Sequence, residues 1–337
     1  MNILSFESSC DETAVAIVRD GREIVSSVVF TQIDVHKLYG GVVPEIASRY
    51  HIEKISQMTE ECIRRSGLSE EDLDAVAVTA APGLIGALLV GLNFAKGYAY
   101  ARNLPLIPVH HIRAHVAANY LAYPDLKPPF LAMIVSGGHS HIVLVKDYTD
   151  YEILGRTRDD AAGEAFDKGA RVLGLPYPGG VHMDKLAKEG NPKAMQFPKV
   201  HFKDAPYDFS FSGVKTAIVN HVHNAKQKGE ELSVPDIAAS YSNAITGILA
   251  ENFLKCAEAY GQKTLVIAGG VSANSMLREK LQAGKKKDQT LYMPPLSLCG
   301  DNGAMVGAQG YYEFQAGHLA DLGLNALSAF SIENQLC

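Results

Sequence analysis

The sequence predicts an α/β fold in two sibling lobes, each built on a mixed sheet, and three observations carry that expectation. Short apolar runs alternate with helix-length amphipathic stretches, the layout of layered strands and helices. A strand, polar turn, strand pattern occurs twice, about 128 residues apart. A proline-rich segment, Tyr123-Pro124-Asp125-Leu126-Lys127-Pro128-Pro129, separates the copies, and prolines cannot continue a helix.

Taken in order, Ile3 to Phe6 and Ala14 to Val18 flank the polar Glu7 to Thr13, and Arg19-Asp20-Gly21 turns the chain into a third strand, Glu23 to Val29. The same order returns in Phe130 to Val135, the small polar Ser136 to His141, Ile142 to Val145 and, after Lys146-Asp147, Tyr151 to Leu154. Leu73 to Thr79, running on into Ala81-Pro82-Gly83, is echoed by Thr264 to Ala268 with Gly269-Gly270, and each leads into a helical stretch. Strand, glycine turn, helix units present free backbone N–H groups that can hold an anion. Two of them facing each other would make a central cleft. Further strands are expected at Leu106 to Val109 and Leu291 to Met293, and helices at 44–66, 112–121, 162–173, 234–260, 275–281 and 304–314. A plain Rossmann order fits less well, because the first strands come as hairpins and no GxGxxG follows the first of them. The expected organisation is an N-terminal lobe 1–122, a linker 123–129, a C-terminal lobe 130–317 with a basic insertion near 185–228, and a tail 318–337.

Composition narrows the function classes. The 337 residues are 47% apolar and 20% charged, which excludes a disordered or collagen-like protein. A formal charge of −6 leaves no general basic field, so any nucleic-acid contact must be local. The cysteines Cys10, Cys62, Cys256, Cys299 and Cys337 form no CxxC pair, so neither a disulfide framework nor a zinc ribbon is expected, and the expected compartment is the reducing cytoplasm. The start MNILSFESSCDET lacks the basic and apolar regions of a secretory signal. Ala75 to Ala95 carries no charge over 21 residues, but Pro82-Gly83 divides it into a strand and a glycine-rich helix, so no membrane segment is expected.

The sharpest chemical signal is His110-His111-Ile112-Arg113-Ala114-His115, which follows a strand and opens a helix. On that helix His111 and His115 share one face about 5 to 6 Å apart, within reach of one metal ion, while His110 turns roughly 100° away. The alternative is a partly buried polar face. A zinc-peptidase HExxH is not matched, since Ile112 stands where its general base would be. Asp301, in a loop before a helix, is the candidate third ligand; its alternative is an ordinary helix N-cap. Two histidines and a carboxylate make an open site suited to Fe2+, with Zn2+ or Mn2+ also fitting.

Three loops have the composition of phosphate cradles: Ser8 to Thr13 with its carboxylates Asp11 and Glu12, Ser136-Gly137-Gly138-His139-Ser140, and Gly269 to Asn274. Each alone is equally a tight turn. Asp159, Asp160, Glu164 and Asp167 open a helix, where dipole complementarity explains acids in the first turn. Asp167 lies a turn further in and is a candidate ribose ligand. Tyr177-Pro178-Gly179-Gly180, followed by Asp184, is either a second ligand loop or a simple turn. Between Lys185 and Lys228, eight lysines stand against Glu189, Asp204 and Asp208, interleaved with Phe197, Phe202, Tyr207, Phe209 and Phe211. Lysines and aromatic faces suit a single-stranded RNA loop; the alternative is a solvated insertion.

The ordered set FESSCDET, GGVVPEIASR, AAPGLIGALLVG, VHHIRAH, VSGGHSH, DDAAGEAFDK, YPGG, FSFSGVKT, AGGVSAN and CGDNGAM resembles the universal family of tRNA threonylcarbamoyladenosine transferases, over residues 2 to about 325. The resemblance implies a duplicated actin, sugar-kinase and Hsp70-like (ribonuclease H-like) fold. It implies a metal site of His111, His115 and Asp301, usually iron, and a pocket for an adenine nucleotide or threonylcarbamoyl-AMP at Ile134, Val135, Ser136, Gly137, Gly138, Asp167, Gly180, Asp184 and Asn274. The implied reaction moves the threonylcarbamoyl group from threonylcarbamoyl-AMP to N6 of the adenosine 3′ of the anticodon, in tRNAs reading codons that begin with A. Implied partners are the tRNA anticodon loop, an inactive paralogue subunit, a small P-loop ATPase and the synthase that supplies threonylcarbamoyl-AMP. On chemical grounds Asp11 or Glu12 would accept the amine proton, with Asp11 preferred. The chain departs from many members in having Ala114 before the second histidine, and its tail Ser328 to Cys337 has no counterpart. The competing readings are a sugar or acetate kinase, a stand-alone metallopeptidase and a non-enzymatic RNA-binding scaffold.

Overall fold

The computed structural model describes residues 1–337, and the chain divides into two compact units. The first comprises 1–129, 145–152 and 294–337; the second comprises 130–144 and 153–293. No helix is long and apolar enough to cross a membrane.

In the first unit, β1 (Asn2–Glu7), β2 (Glu12–Arg19), β3 (Glu23–Thr31), β4 (Ala75–Ala81) and β5 (Leu106–His110) form one sheet of order β3-β2-β1-β4-β5. The hairpin strands β1, β2 and β3 run antiparallel, and β4 and β5 continue parallel to β1. Every residue of β4 is buried, as a central parallel strand covered on both faces requires. The helices are the single turn α1 (Ile33–His36), α2 (Pro44–Ser66), α3 (Ile85–Arg102) and α4 (His111–Ala122). The uncharged run from Ala75 thus becomes β4 and the start of α3. Gly67 and Asn103, both in the left-handed conformation, end α2 and α3.

The second sheet repeats the plan. Its strands are β6 (Phe130–Val135), β7 (Ser140–Asp147), β8 (Asp150–Arg156), β9 (Thr264–Ala268) and β10 (Thr290–Tyr292), in the order β8-β7-β6-β9-β10. That order corresponds strand for strand to the first sheet, so the duplication read from two hairpins extends to the whole sheet. The helices are α5 (Ala162–Val172), α6 (Gly179–Ala187), α7 (Ser212–Lys228), α8 (Val234–Ala259) and α9 (Ser275–Gly284). Phe166, Phe209, Phe211, Tyr241 and Phe253 fill the core between them.

Of the aromatics interleaved with lysines in 185–228, two belong to this core and three stay half-exposed. Phe209 and Phe211 are fully buried, Phe197 packs edge-on against Tyr241 at 5.6 Å, and residues 212–228 are a helix. Several lysines are already paired, Lys199 with Glu251 and Lys215 with Asp160. The acids before α5 are likewise fasteners: Asp159 accepts the Phe211 N–H and the Ser210 hydroxyl, and Asp160 also pairs with Lys168.

The last helix, α10 (Gly303–Gln315), lies on the first sheet, so residues 294–337 group with the first unit although chain order suggested the second up to 317. Glycines at 303, 307 and 310 make this possible. A Cβ there would come within 2.7 Å of Ala16 N, Val18 Cγ2 and Ala77 Cβ respectively, so only glycine allows the helix this close. Met305 and Val306 share a core with Ala114 and Ala118 of α4.

Candidate active site

β5 delivers the chain into α4, and His110 caps that helix: its Nδ1 accepts the Ile112 N–H at 3.2 Å. His111 is therefore the first residue of α4 and His115 follows one turn later, with ring centroids 4.7 Å apart. Asp301 comes from the loop before α10. Its Oδ1 lies 3.2 Å from His115 Nε2 and 3.7 Å from His111 Nε2. The cap of α10 is its neighbour Asn302, which accepts the Met305 N–H at 2.9 Å, so the capping role does not fall to Asp301 and its carboxylate faces the histidines.

The donor set fits a divalent metal ion. Ligand atoms of His111, His115 and Asp301 all lie within 4.8 Å of one another. Two donors each about 2.1 Å from one ion stand roughly 3 to 3.5 Å apart at ordinary coordination angles. His115 is 1% exposed and neither ring nitrogen makes a hydrogen bond, Nε2 having only the Asp301 carboxylate beside it. Buried imidazole nitrogens left that way cost about 1–3 kcal/mol, and coordination to an ion removes the deficit at Nε2.

Behind His111 stands a residue that the sequence reading passed over. Glu7, at the end of β1, places Oε2 3.0 Å from His111 Nδ1 and accepts the Thr79 hydroxyl and the Ser9 N–H, each at 2.6 Å. Ser9 Oγ lies 3.2 Å from the same ring nitrogen. A carboxylate on Nδ1 holds the proton there and leaves the Nε2 lone pair for a metal. Glu7 sits in a polar turn directly after an apolar strand, but only the fold brings that turn to α4. Burial opposes ionisation of Glu7, and the neighbouring His111 overcomes it, holding the carboxyl below its usual range. Burial alone would lower His111; the Glu7 and Asp301 charges outweigh it and lift the imidazole to about 9.

Asp11 ends the turn between β1 and β2 and is buried; Glu12 opens β2 and is half-buried. Burial, with the charges of Asp301 and Asp11, raises Glu12 to about 10, so it carries a proton at neutral pH. Of the two expected proton acceptors, Glu12 is thus occupied in the ion-free chain.

The expected nucleotide residues all fall in the second unit. Ile134 and Val135 are fully buried strand residues whose side chains belong to the core, so any ligand contact there must be made by backbone. Gly137 and Gly138 are exposed in the turn after β6, which closes through Ser136 N–H to His139 O at 2.8 Å. The N-terminus of α5 abuts this turn, with the Gly163 N–H donating to Ser136 O at 3.1 Å. Asp167 accepts the Gly179 N–H at 2.7 Å, fixing the loop that carries Gly180. Asp184 accepts the Ser275 N–H and hydroxyl at 2.9 Å, beside Asn274, which caps α9. Two phosphate-type turns and two carboxylates are thus tied together by short bonds. A Cβ on Gly163 would meet Ser136 O at 2.7 Å and Gly137 Cα at 2.8 Å. Gly163→Ala is therefore expected to displace the Ser136 turn, at about 1–3 kcal/mol of strain, and to weaken adenine-nucleotide binding at least about tenfold. Isothermal titration with AMP checks this; unchanged affinity would separate the turn from the nucleotide.

Two mixed sheets of the same strand order, with a two-histidine, one-carboxylate cluster on the first, define an α/β protein of the actin, sugar-kinase and Hsp70-like class. Solved structures bear out the fold: T. kodakarensis HypF superposes with a TM-score of 0.63 at 15% identity, over 94% of this chain and 48% of that one. Component A of the (R)-2-hydroxyglutaryl-CoA dehydratase of Acidaminococcus fermentans gives 0.55 at 16%, over 94% and 98%. The TsaD family model, tRNA N6-adenosine threonylcarbamoyltransferase, matches residues 23–308. Proteins of that name from Clostridium beijerinckii and Clostridium perfringens are 52% and 50% identical over 325 residues, covering 96% of this chain and 96% of each of theirs. The chain belongs to the tRNA N6-adenosine threonylcarbamoyltransferase family.

Proposed function

We propose that this chain transfers the threonylcarbamoyl group from threonylcarbamoyl-AMP to N6 of the adenosine 3′ of the anticodon, in tRNAs reading codons that begin with A. The observation that carries the metal-assisted form of this reading is the buried His115 imidazole, making no hydrogen bond, with its Nε2 aimed at Asp301 beside His111. A divalent ion held by these three residues, Fe2+ by preference, supplies Lewis acidity toward a carbonyl or phosphoryl oxygen when bound. Glu7 fixes the His111 ring so that its Nε2 faces the ion.

In the proposed transfer the N6 nitrogen forms a bond to the carbamoyl carbon, the carbamoyl C–O bond to the phosphate breaks, and AMP leaves. Exposed backbone N–H groups of Gly137 and Gly138 suit the phosphate, and Asp167, Gly180, Asp184 and Asn274 suit the nucleoside. The exocyclic amine loses a proton as it attacks. Of the pair, the accepting carboxylate in this proposal is Asp11. The tRNA anticodon loop offers that base already unpaired, which suits a chain without a general basic field. The proposed setting is cytoplasmic, with an inactive paralogue, a small P-loop ATPase and a threonylcarbamoyl-AMP synthase as partners.

Reconstitution with threonylcarbamoyl-AMP and tRNA, followed by mass spectrometry of the nucleosides, tests the reading; absence of the modified adenosine in the complete mixture would refute it. In the same assay Asp11→Asn is expected to lower the transfer rate about 10²- to 10⁴-fold at unchanged folding. A wild-type rate would remove Asp11 from the proton transfer.

A further inference from the structure

The tail beyond residue 327, unmatched by any motif, runs back along the helix that carries both histidines. It enters through Gly83 N–H to Ser328 O at 3.3 Å, then passes His110, whose Nε2 lies 3.2 Å from Phe330 O. His110 accepts the helix N–H through Nδ1, so its proton sits on Nε2 and points to the tail. Further along, Arg113 reaches into the tail from α4. It is 1% exposed and lies between His111 and His115 in sequence, on the opposite side of the helix from them.

All five donors of this guanidinium are used. Nε and one Nη donate to Ile332 O at 3.0 and 2.8 Å, that same Nη donates to Asn334 O at 2.9 Å, and the other donates to Gln335 Oε1 at 2.9 Å. Only the fifth, to Glu313 at 3.2 Å, does not end on the tail. The planar group also stacks on Tyr151, 5.0 Å from the ring centroid. Without the tail a buried cation would lose most of its partners, which a folded chain avoids by moving the helix that bears it.

We propose that the C-terminal segment 328–335 is a strap that sets the position of α4, with Arg113 and His110 as positioning residues for the metal ligands His111 and His115. The helix is thereby held on both sides: Glu7 grips His111 on one face and the tail grips Arg113 on the other. The proposal rests on the metal reading for its consequence, but the strap itself is a property of the ion-free chain.

The test uses two full-length variants. Ile332→Lys forces an ammonium into a position 3% exposed, next to the carbonyl that Arg113 binds, and so expels the strap. Arg113→Lys keeps the charge with at most three of the five hydrogen bonds. In both, hydrogen exchange of the α4 amides is expected to quicken at least about tenfold while α2 is unchanged, and Co2+ affinity, read from its visible absorption, to fall about tenfold with an altered band shape. Unchanged α4 exchange in the folded variants, or α2 and α4 losing protection together, would overturn the strap. If Ile332→Lys does not fold, Arg113→Lys decides. A wild-type chain that binds no Co2+ would refute the metal reading instead, and α4 exchange would still decide the strap.

Discussion

Replacing His115 by leucine is expected to weaken divalent-metal binding by at least about 10²- to 10³-fold while leaving the ion-free chain about as stable as the wild type. The two halves of that expectation come from one observation, a fully buried ring with neither nitrogen hydrogen-bonded. An imidazole kept for structure would have a partner. Leucine is of similar volume and removes two buried nitrogens that make no hydrogen bond, while Asp301 loses the imidazole 3.2 Å away, so the substitution recovers about 1–3 kcal/mol of desolvation cost and spends a comparable amount on that loss and on imperfect packing. Metal binding responds differently. If one of three protein ligands supplies about a third of the roughly 10–16 kcal/mol seen for well-formed sites, its loss weakens affinity by at least about 10²- to 10³-fold. Urea unfolding of the metal-free protein and Co2+ titration measure the two quantities separately. Destabilisation beyond about 2 kcal/mol with intact metal affinity would mean that the ring is a packing element and the cluster no metal site.

The histidine pair was legible because its chemistry is local, a four-residue spacing on a helix, whereas Asp301 was a candidate ligand with a helix N-cap as its alternative and only the fold brings it to the pair. The duplication was legible for a similar reason, since a hairpin is a contiguous pattern. Glu7 was not, because its role depends on β1, β4 and α4 meeting in three dimensions, 72 and 104 residues apart along the chain. The aromatics near 197–211 were legible only as a choice. Interleaved lysine and phenylalanine read equally as a binding surface or a solvated insertion; the fold buries Phe209 and Phe211 and leaves Phe197, Phe202 and Tyr207 half-exposed. Residues 294–317 were assigned to the second lobe because the glycines of α10 signal close packing without naming the sheet they pack on.

Glu7→Gln is expected to change how metal affinity depends on pH more than its value at neutrality. In the ion-free wild type His111 is held protonated up to about 9 by the Glu7 and Asp301 charges, against the effect of burial. A metal must displace that proton, so affinity should climb about tenfold per pH unit from 7 toward 9. Glutamine keeps the shape and one acceptor but removes a charge, and the imidazole falls back toward 6.5. Proton competition then largely ends near neutral pH, while the loss of a carboxylate behind the ligand weakens binding about 10- to 100-fold. At pH 7 the two changes nearly cancel; at pH 9 the variant should be weaker by the full factor. Stability of the ion-free chain follows the same pair. The raised His111 contributes fully below 6.5 and loses its contribution as pH rises through about 9. The lowered Glu7 contributes above 4.5 and loses its contribution as pH falls through its depressed value. The wild type should therefore become less stable between pH 6.5 and 9, and Glu7→Gln much less so. Parallel pH profiles of Co2+ affinity in the two proteins would show that Glu7 does not set the protonation of His111.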